Sequence, residues 1–211
     1  MAAIFTLSTN ARFLSFIMSG AMLVLAGTMS AAARSATEAI STTSNEVIRL
    51  LRDEDLKKPW RMVERRRQLE AVIGKRLSYE EMSKRALGEQ WKRLSEKERQ
   101  EFVDLFKTLL ANTYATRIEG YAGEQIQFIN ERQLESGYAE VHAKLVSKKT
   151  DLTMDFRLFQ RSGDWLVYDI VVDGVGLVNN YRGQFAKIIR NSSYADLLKK
   201  LRNKAELPES P

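Results

Sequence analysis

The side chains best suited to proton transfer in this 211-residue chain are Glu140 and His142. They stand two apart in Tyr138-Ala-Glu-Val-His-Ala-Lys144, so an extended backbone puts both on one face, where a carboxylate can orient an imidazole. A dyad needs a nucleophile or a held substrate, and no motif supplies either. G-x-S-x-G and the phosphate loop are absent; Gly174-Val-Gly176 lacks the third glycine of G-x-G-x-x-G and follows a strand too late in the chain. The chain has no cysteine, which removes thiolate nucleophiles, disulfides, Cys-ligated zinc and iron–sulfur clusters. His142 is the single histidine, so a multi-His metal site is excluded as well. Asp151, Asp155, Asp164, Asp169 and Asp173 do not follow EF-hand spacing, and turns and strand ends account for most of them. Glu140 and His142 then read as a solvent-facing strand pair. The expectation is a protein that is not an enzyme, with no catalytic residue, no metal and no cofactor.

What the chain does hold is apolar surface. Hydrophobic residues make up 44% and charged residues 28%, enough for a core in one domain. Lys and Arg total 33 against 27 Asp and Glu, a net charge of +6 spread through the chain rather than gathered in a tail. Arg65-Arg66-Arg67, Lys84-Arg85 and Lys199-Lys200-Leu-Arg202 read as solvated helix faces, with an anionic lipid surface or an acidic protein as the functional alternative.

The N-terminal segment stands apart. No residue between Arg12 and Arg34 is charged; Phe13 to Ala26 is mostly apolar, and Ser30-Ala-Ala-Ala33 offers small residues for cleavage. A basic start, an apolar run and a small-residue exit are the parts of a secretory signal peptide, assigned here to residues 1–33. The uncharged span approaches the ~20 residues of a membrane anchor, but Ser15, Ser19, Gly20, Gly27 and Thr28 dilute it. Removing it leaves a mature chain over 34–211 with a charge of +5, in which residues 34–205 form one α+β domain and 206–211 a polar tail. Export points to the periplasm and demotes nucleic acid as a partner.

Beyond the leader the pattern runs helix, strand, helix. Ile40, Val47, Ile48, Leu50 and Leu51 make a narrow helical stripe, and Pro59 opens a second helix carrying Trp60, Val63, Leu69, Val72 and Ile73. A short helix covers Tyr79 to Leu87 and stops near Gly88. Ser95-Glu-Lys-Glu98 has the form of a capping box. Phe102, Leu105, Phe106, Leu109, Leu110, Tyr114 and Ile118 follow it at spacings of three and four, a long amphipathic helix ending near Gly120. The period then changes to two through Ile126 and Phe128, Val141 to Leu145, Leu152 to Leu158, and Trp165 to Val172, with Arg161-Ser-Gly-Asp164 as a tight turn. Helices return over Val178 to Arg190 and Tyr194 to Arg202. The fold class is α+β: a curved antiparallel sheet of about four strands covered by N- and C-terminal helices. The last strand is apolar on both faces apart from Asp169. One face should meet helices, and the other more protein or a different apolar occupant held in a cavity between the layers.

Gly163-Asp-Trp-Leu-Val-Tyr-Asp-Ile-Val-Val-Asp-Gly-Val-Gly-Leu-Val-Asn-Asn-Tyr-Arg-Gly-Gln-Phe185 closely resembles the MlaC-type periplasmic phospholipid-binding proteins, the toluene-tolerance auxiliary family. Met82-Ser-Lys-Arg-Ala-Leu-Gly88, Trp91, Glu98-Arg99 and the Phe102 to Tyr114 series match it in order; Gly176 departs, where many relatives have serine. The resemblance implies an NTF2-like α+β cone with acyl tails between sheet and helices and the headgroup in solvent. It further implies a soluble carrier shuttling glycerophospholipid between an outer-membrane lipoprotein complex and an inner-membrane ABC transporter, maintaining outer-membrane lipid asymmetry. Candidate tail-lining residues are Val141, Leu145, Met154, Phe156, Leu158, Val167 and Ile170 from the strands, with Phe106, Leu109 and Leu110 from the capped helix. Tyr181, Arg182 and Phe185 read as structural, Arg182 pairing with Asp169 or Asp173 to lock the last helices to the sheet. The carrier is expected to be a monomer. The rival readings are a periplasmic carrier or chaperone of another apolar ligand such as a hopanoid or a lipid precursor, and an NTF2-like hydrolase or isomerase using His142 or an aspartate. N-terminal sequencing of protein released by osmotic shock without detergent is expected to begin at Ala33 or Arg34. Recovery of residues 13–26 in a membrane fraction would instead identify an anchor.

Overall fold

A computed structural model describes residues 34–147 and 151–206; the leader over 1–33, the segment 148–150 and residues 207–211 lie outside the described residues. Helix α1 (Ala36–Arg52) starts where the Ser35 side chain accepts from the Glu38 amide at 3.0 Å. A 3-10 turn at Pro59–Arg61 leads into α2 (Met62–Arg76), then come α3 (Tyr79–Leu87) and the short α4 (Glu89–Lys92). Gly88 joins the last two at φ +55°, ψ −126°, a conformation open to glycine and strained for any side chain. Helix α5 (Glu96–Glu119) carries the expected capping box: Ser95 accepts from the Glu98 amide while Glu98 accepts from the Ser95 amide at 2.8 Å.

The strands follow as β1 (Gln125–Glu135), β2 (Tyr138–Val146), β3 (Leu152–Arg161), β4 (Asp164–Val172) and the two-residue β5 (Val175–Gly176). They form one antiparallel meander in chain order. The fifth strand adds to the four read from the sequence; two residues are too few to show a period. Helices α6 (Leu177–Asn191) and α7 (Tyr194–Glu206) complete the chain. The C-terminal helix therefore runs through Glu206, one residue into the segment read as tail.

Three apolar clusters hold the layers. The helical cluster joins α3, α5, α6 and α7 through Met82, Phe102, Phe106, Leu109, Tyr181, Phe185 and Leu197. Phe106 meets the Tyr181 ring edge-on at 5.2 Å and the Phe185 ring at 5.5 Å. A second cluster closes one end of the sheet: Ala36, Ala39 and Ile40 of α1 lie on Ala139, Val141, Leu158 and Trp165. Alanines at the contact let the helix backbone approach closely. The third joins α1 to α2 through Leu50, Leu51, Leu69 and Val72. Trp60 and Val63, placed on α2 by sequence, stand out of this cluster and are exposed.

The last helices are tied to the sheet by backbone rather than by Arg182. Gly176 caps α6 without a side chain, and Asp169 Oδ1 of β4 accepts from the Val178 amide at 2.9 Å. Asp173 accepts instead from the Thr153 amide and hydroxyl at 2.9 and 3.1 Å. Arg182 lies beside Gly88, so the pairing read from sequence does not form. The Asp169 carboxylate is committed to the helix amide, and the arginine lies at the neighbouring turn. Burial pushes the Asp169 carboxyl above the usual carboxylate range, against the pull of the Val178 amide and of Arg157 at 3.5 Å.

Asp169→Ala is expected to cost ~1–3 kcal/mol in thermal unfolding, since the helix amide is left without an acceptor. Asp169→Asn keeps the acceptor and should cost less. A carboxyl with a raised folded pKa adds most stability below its unfolded value and loses it as pH rises through the folded value. The gap between wild type and Asp169→Asn should therefore narrow from acid to neutral pH, and unfolding curves across that range check it.

Candidate functional site: two apolar chambers beneath the sheet

Where the α1 cluster ends, the inner face of the sheet is no longer filled. Two apolar chambers of about 420 and 440 Å³ open there between the strands and helices α1, α2 and α5. They share a wall of Ile73, Leu77, Tyr114, Ile118, Met154, Ile170 and Val172. The first extends toward Leu69, Tyr79, Leu110 and Leu177; the second toward Val47, Ile48, Ile126, Leu145 and Phe156. Each volume lies within the ~300–1,000 Å³ of small-ligand sites.

Helix α5 explains the division. Its first half points Phe102, Phe106 and Leu109 into the helical cluster, and its second half brings Leu110, buried at the edge of that cluster, and the half-buried Tyr114 and Ile118, one turn apart, to the first chamber. Strand alternation does the same on the sheet. Residues at the α1 end, Val141 and Leu158, are fully buried; the other end supplies Leu145, Met154 and Ile170. Of the lining residues read from sequence, Leu110, Leu145, Met154, Phe156, Val167 and Ile170 border a chamber. Phe106, Leu109, Val141 and Leu158 border neither and are packed core. Their periodicity was the same as their neighbours'; what separates them is which end of the element a helix covers. The contributions of α1 and α2, Val47, Ile48, Leu69 and Ile73, were missed. Their signal was a half-apolar stripe, read as helix packing.

The polar groups at the chambers are mostly occupied. Buried Arg76 donates to Thr43 Oγ1 and Asp164 Oδ1, each at 3.0 Å, and to the Trp165 carbonyl, tying α1, α2 and β4 together. Burial pushes the Asp164 carboxyl up, but Arg76 and the Trp165 amide outweigh it and hold it low. Arg66 grips both oxygens of Glu119 at 3.0 and 3.1 Å. Tyr79 is pushed up to about 12, first by burial and then by the Glu70 charge, so its phenol stays neutral against the first chamber.

His142 is elsewhere. Its neighbours Val141 and Ala143 face the core, so the ring is on the outer face of the sheet. Nδ1 lies 2.6 Å from Asp155 Oδ1 and Nε2 lies 3.4 Å from Glu140 Oε1. Two carboxylates answer the imidazole, and it borders neither chamber. Beside it a polar groove of about 720 Å³ runs past Arg85, Arg132, Arg157 and Arg182. Most of its charge is internally matched: Glu140 takes Arg132 at 2.8 Å and Arg157 at 3.0 Å, and Glu81 takes Arg85 at 2.8 Å. Burial pushes Glu140 up, yet the two arginines outweigh it and hold its carboxyl below the ordinary range. The five aspartates each have partners of their own: Asp151 has Lys144, Asp155 has His142, Asp164 has Arg76, Asp169 has the Val178 amide and Arg157, and Asp173 has Thr153.

Comparison with known proteins agrees with this geometry. The intermembrane phospholipid transport system binding protein MlaC of Haemophilus influenzae is 24% identical over 129 residues. That match spans 59% of this chain and 60% of the relative, less than two thirds of its length. A phospholipid-binding protein from Ralstonia solanacearum, solved in complex with a phospholipid, superposes with a TM-score of 0.72 at 22% identity. The superposition covers 81% of this chain and 97% of that one, and shows that the two share a fold. The family described as MlaC protein matches residues 41–203, from the middle of α1 into α7, and the chain belongs to that family.

Proposed function

We propose that this chain is an exported carrier that takes a glycerophospholipid by its acyl tails and moves it between membranes. The observation that carries the reading is the pair of apolar chambers sharing one wall, in a chain of the MlaC family. Two acyl chains of about 16 carbons lose on the order of 25 kcal/mol on leaving a bilayer for water, at ~0.8 kcal/mol per CH₂. A carrier must replace that environment, and no bond need be made or broken. The relative's printed name, a binding protein of an intermembrane phospholipid transport system, supports the same role here. Its partners would be an inner-membrane ABC transporter and an outer-membrane lipoprotein complex, with the periplasm as its place and outer-membrane asymmetry as its purpose. No helix among the described residues is long and apolar enough to cross a membrane.

The forked shape favours a lipid with two separate flexible tails over a hopanoid, whose fused rings would fill one chamber and leave the other empty. The remote, doubly answered His142 speaks against the enzyme reading. Mass spectrometry of lipid co-purified with the exported protein should find diacyl glycerophospholipid; a triterpenoid would favour the rival carrier.

Filling the chambers tests the site directly. Leu145→Trp in the second chamber and Ile170→Trp in the shared wall should lower bound lipid per protein severalfold, Ile170→Trp more because it reaches both. Melting of the delipidated protein should fall only by the equivalent of ~1–3 kcal/mol. Leu158→Trp, in packed core, should unfold the domain instead. If the chamber substitutions unfold it too, and none yields a folded lipid-free form, the proposed lining is ordinary core.

A further inference from the structure

We propose that Arg117 binds the phosphodiester of the lipid and makes the site selective for phospholipid over uncharged lipid of the same tails, an inference that rests on the carrier reading above. Among the described charged residues that border the chambers, Arg117 alone borders both. Two tails lying in chambers with a common wall converge at that wall, and the glycerol and phosphate that join them sit where they meet. Arg117 is exposed and belongs to the last turn of α5, one turn beyond Tyr114, whose ring lies 5.9 Å from its guanidinium. Tyr114 itself is half-buried in the shared wall.

Most of the other charges at the chambers are paired. Arg66 holds Glu119, Arg76 holds Asp164, and the Glu124 carboxylate accepts from the Ala122 amide at 2.7 Å. Glu70 borders the first chamber alone. Arg117 has no carboxylate within ion-pair distance among the described residues, so binding an anion would break nothing. Its fork of donors fits two phosphate oxygens, and the helix C-terminus favours a cation at that position. Tails cannot tell one headgroup from another, because a methylene is the same in every lipid. A cation at the junction supplies what the chambers lack.

The test compares lipids that differ only in the head. Delipidated protein is loaded from mixed micelles holding equal amounts of dioleoylphosphatidylglycerol and dioleoylglycerol, and bound lipid is counted by native mass spectrometry. Wild type should favour the phospholipid. Arg117→Ala should lower that ratio about tenfold, the equivalent of ~1.4 kcal/mol and the scale of a charge-assisted hydrogen bond. Arg117→Lys should keep most of it, and the phosphorus NMR resonance of the bound lipid should move in Arg117→Ala. Melting temperatures should be equal across the series. The same ratio and the same resonance in wild type and Arg117→Ala would overturn the role of Arg117 and leave lipid carriage standing. A wild type that holds neither lipid would overturn carriage and this inference with it. Glycerol phosphate without tails should fail to displace the lipid; displacement would mean a free-phosphate site and would overturn the inference too.

Discussion

An apolar cavity in water is under constant pressure to close. Every Å² of apolar wall brought together gains ~25 cal/mol, so two empty chambers would collapse unless something rigid kept their walls apart. In this fold the spacing is set by packed ends. The α1 alanines and Ile40 pin the helix to Val141, Leu158 and Trp165 at one end of the sheet. The aromatic stack of Phe102, Phe106, Tyr181 and Phe185 fixes α5 against α6 on the other side. Between these anchors α5 and α2 span the gap, and their apolar residues face a space that neither can close alone. Cavity and core are therefore made of the same residue types; only the covering differs.

The outer face of the sheet contributes by polar means. Arg132, Glu140, Arg157 and Asp169 form a chain across β1 to β4, and Arg85 stacks 3.9 Å over the Tyr168 ring. Register shifts between Phe128 and Asn130 in β1, and between Arg157 and Leu158 in β3 opposite Tyr168, add bends to the strands. Such bends allow a sheet to curve around its contents rather than lie flat against the helices. Asp169 belongs to both systems: it joins the outer network and seats the first amide of α6. A single buried carboxylate thus couples the sheet's curvature to the position of the last helices.

Much of this was legible in the residues. The capping box at Ser95, the stop at Gly88 and the turn at Arg161 to Asp164 are local devices, and local chemistry decides them. The meander followed from alternation and short turns. Less legible was whatever depends on cover. Leu158 and Met154 lie on the same strand face with the same apolar character, yet Leu158 is fully buried inside the α1 cluster while Met154 packs at its margin and borders both chambers. Trp60 and Val63 keep helical spacing but project beyond the partner helix. The second half of β1 was hidden as well: the irregularity at Ile129 breaks the period, and Asn130 to Gln133 are polar on both sides. Arg182 failed for a related reason, since several carboxylates were near in sequence and only geometry could choose among them.

Division of labour along α5 is the last consequence. A helix that lay wholly in core would hold no ligand, and one that lay wholly on a cavity would lack a fixed position. Over 24 residues α5 does both in turn, with Phe102, Phe106 and Leu109 packed in core and Leu110, Tyr114 and Ile118 bordering the chambers. At ~1.5 Å per residue its two ends are far enough apart for the covering to change along its length. Its Ser95 cap belongs to the packed half, and its far end, at Arg117 and Glu119, borders the first chamber and is tied to α2 by the Arg66–Glu119 ion pair.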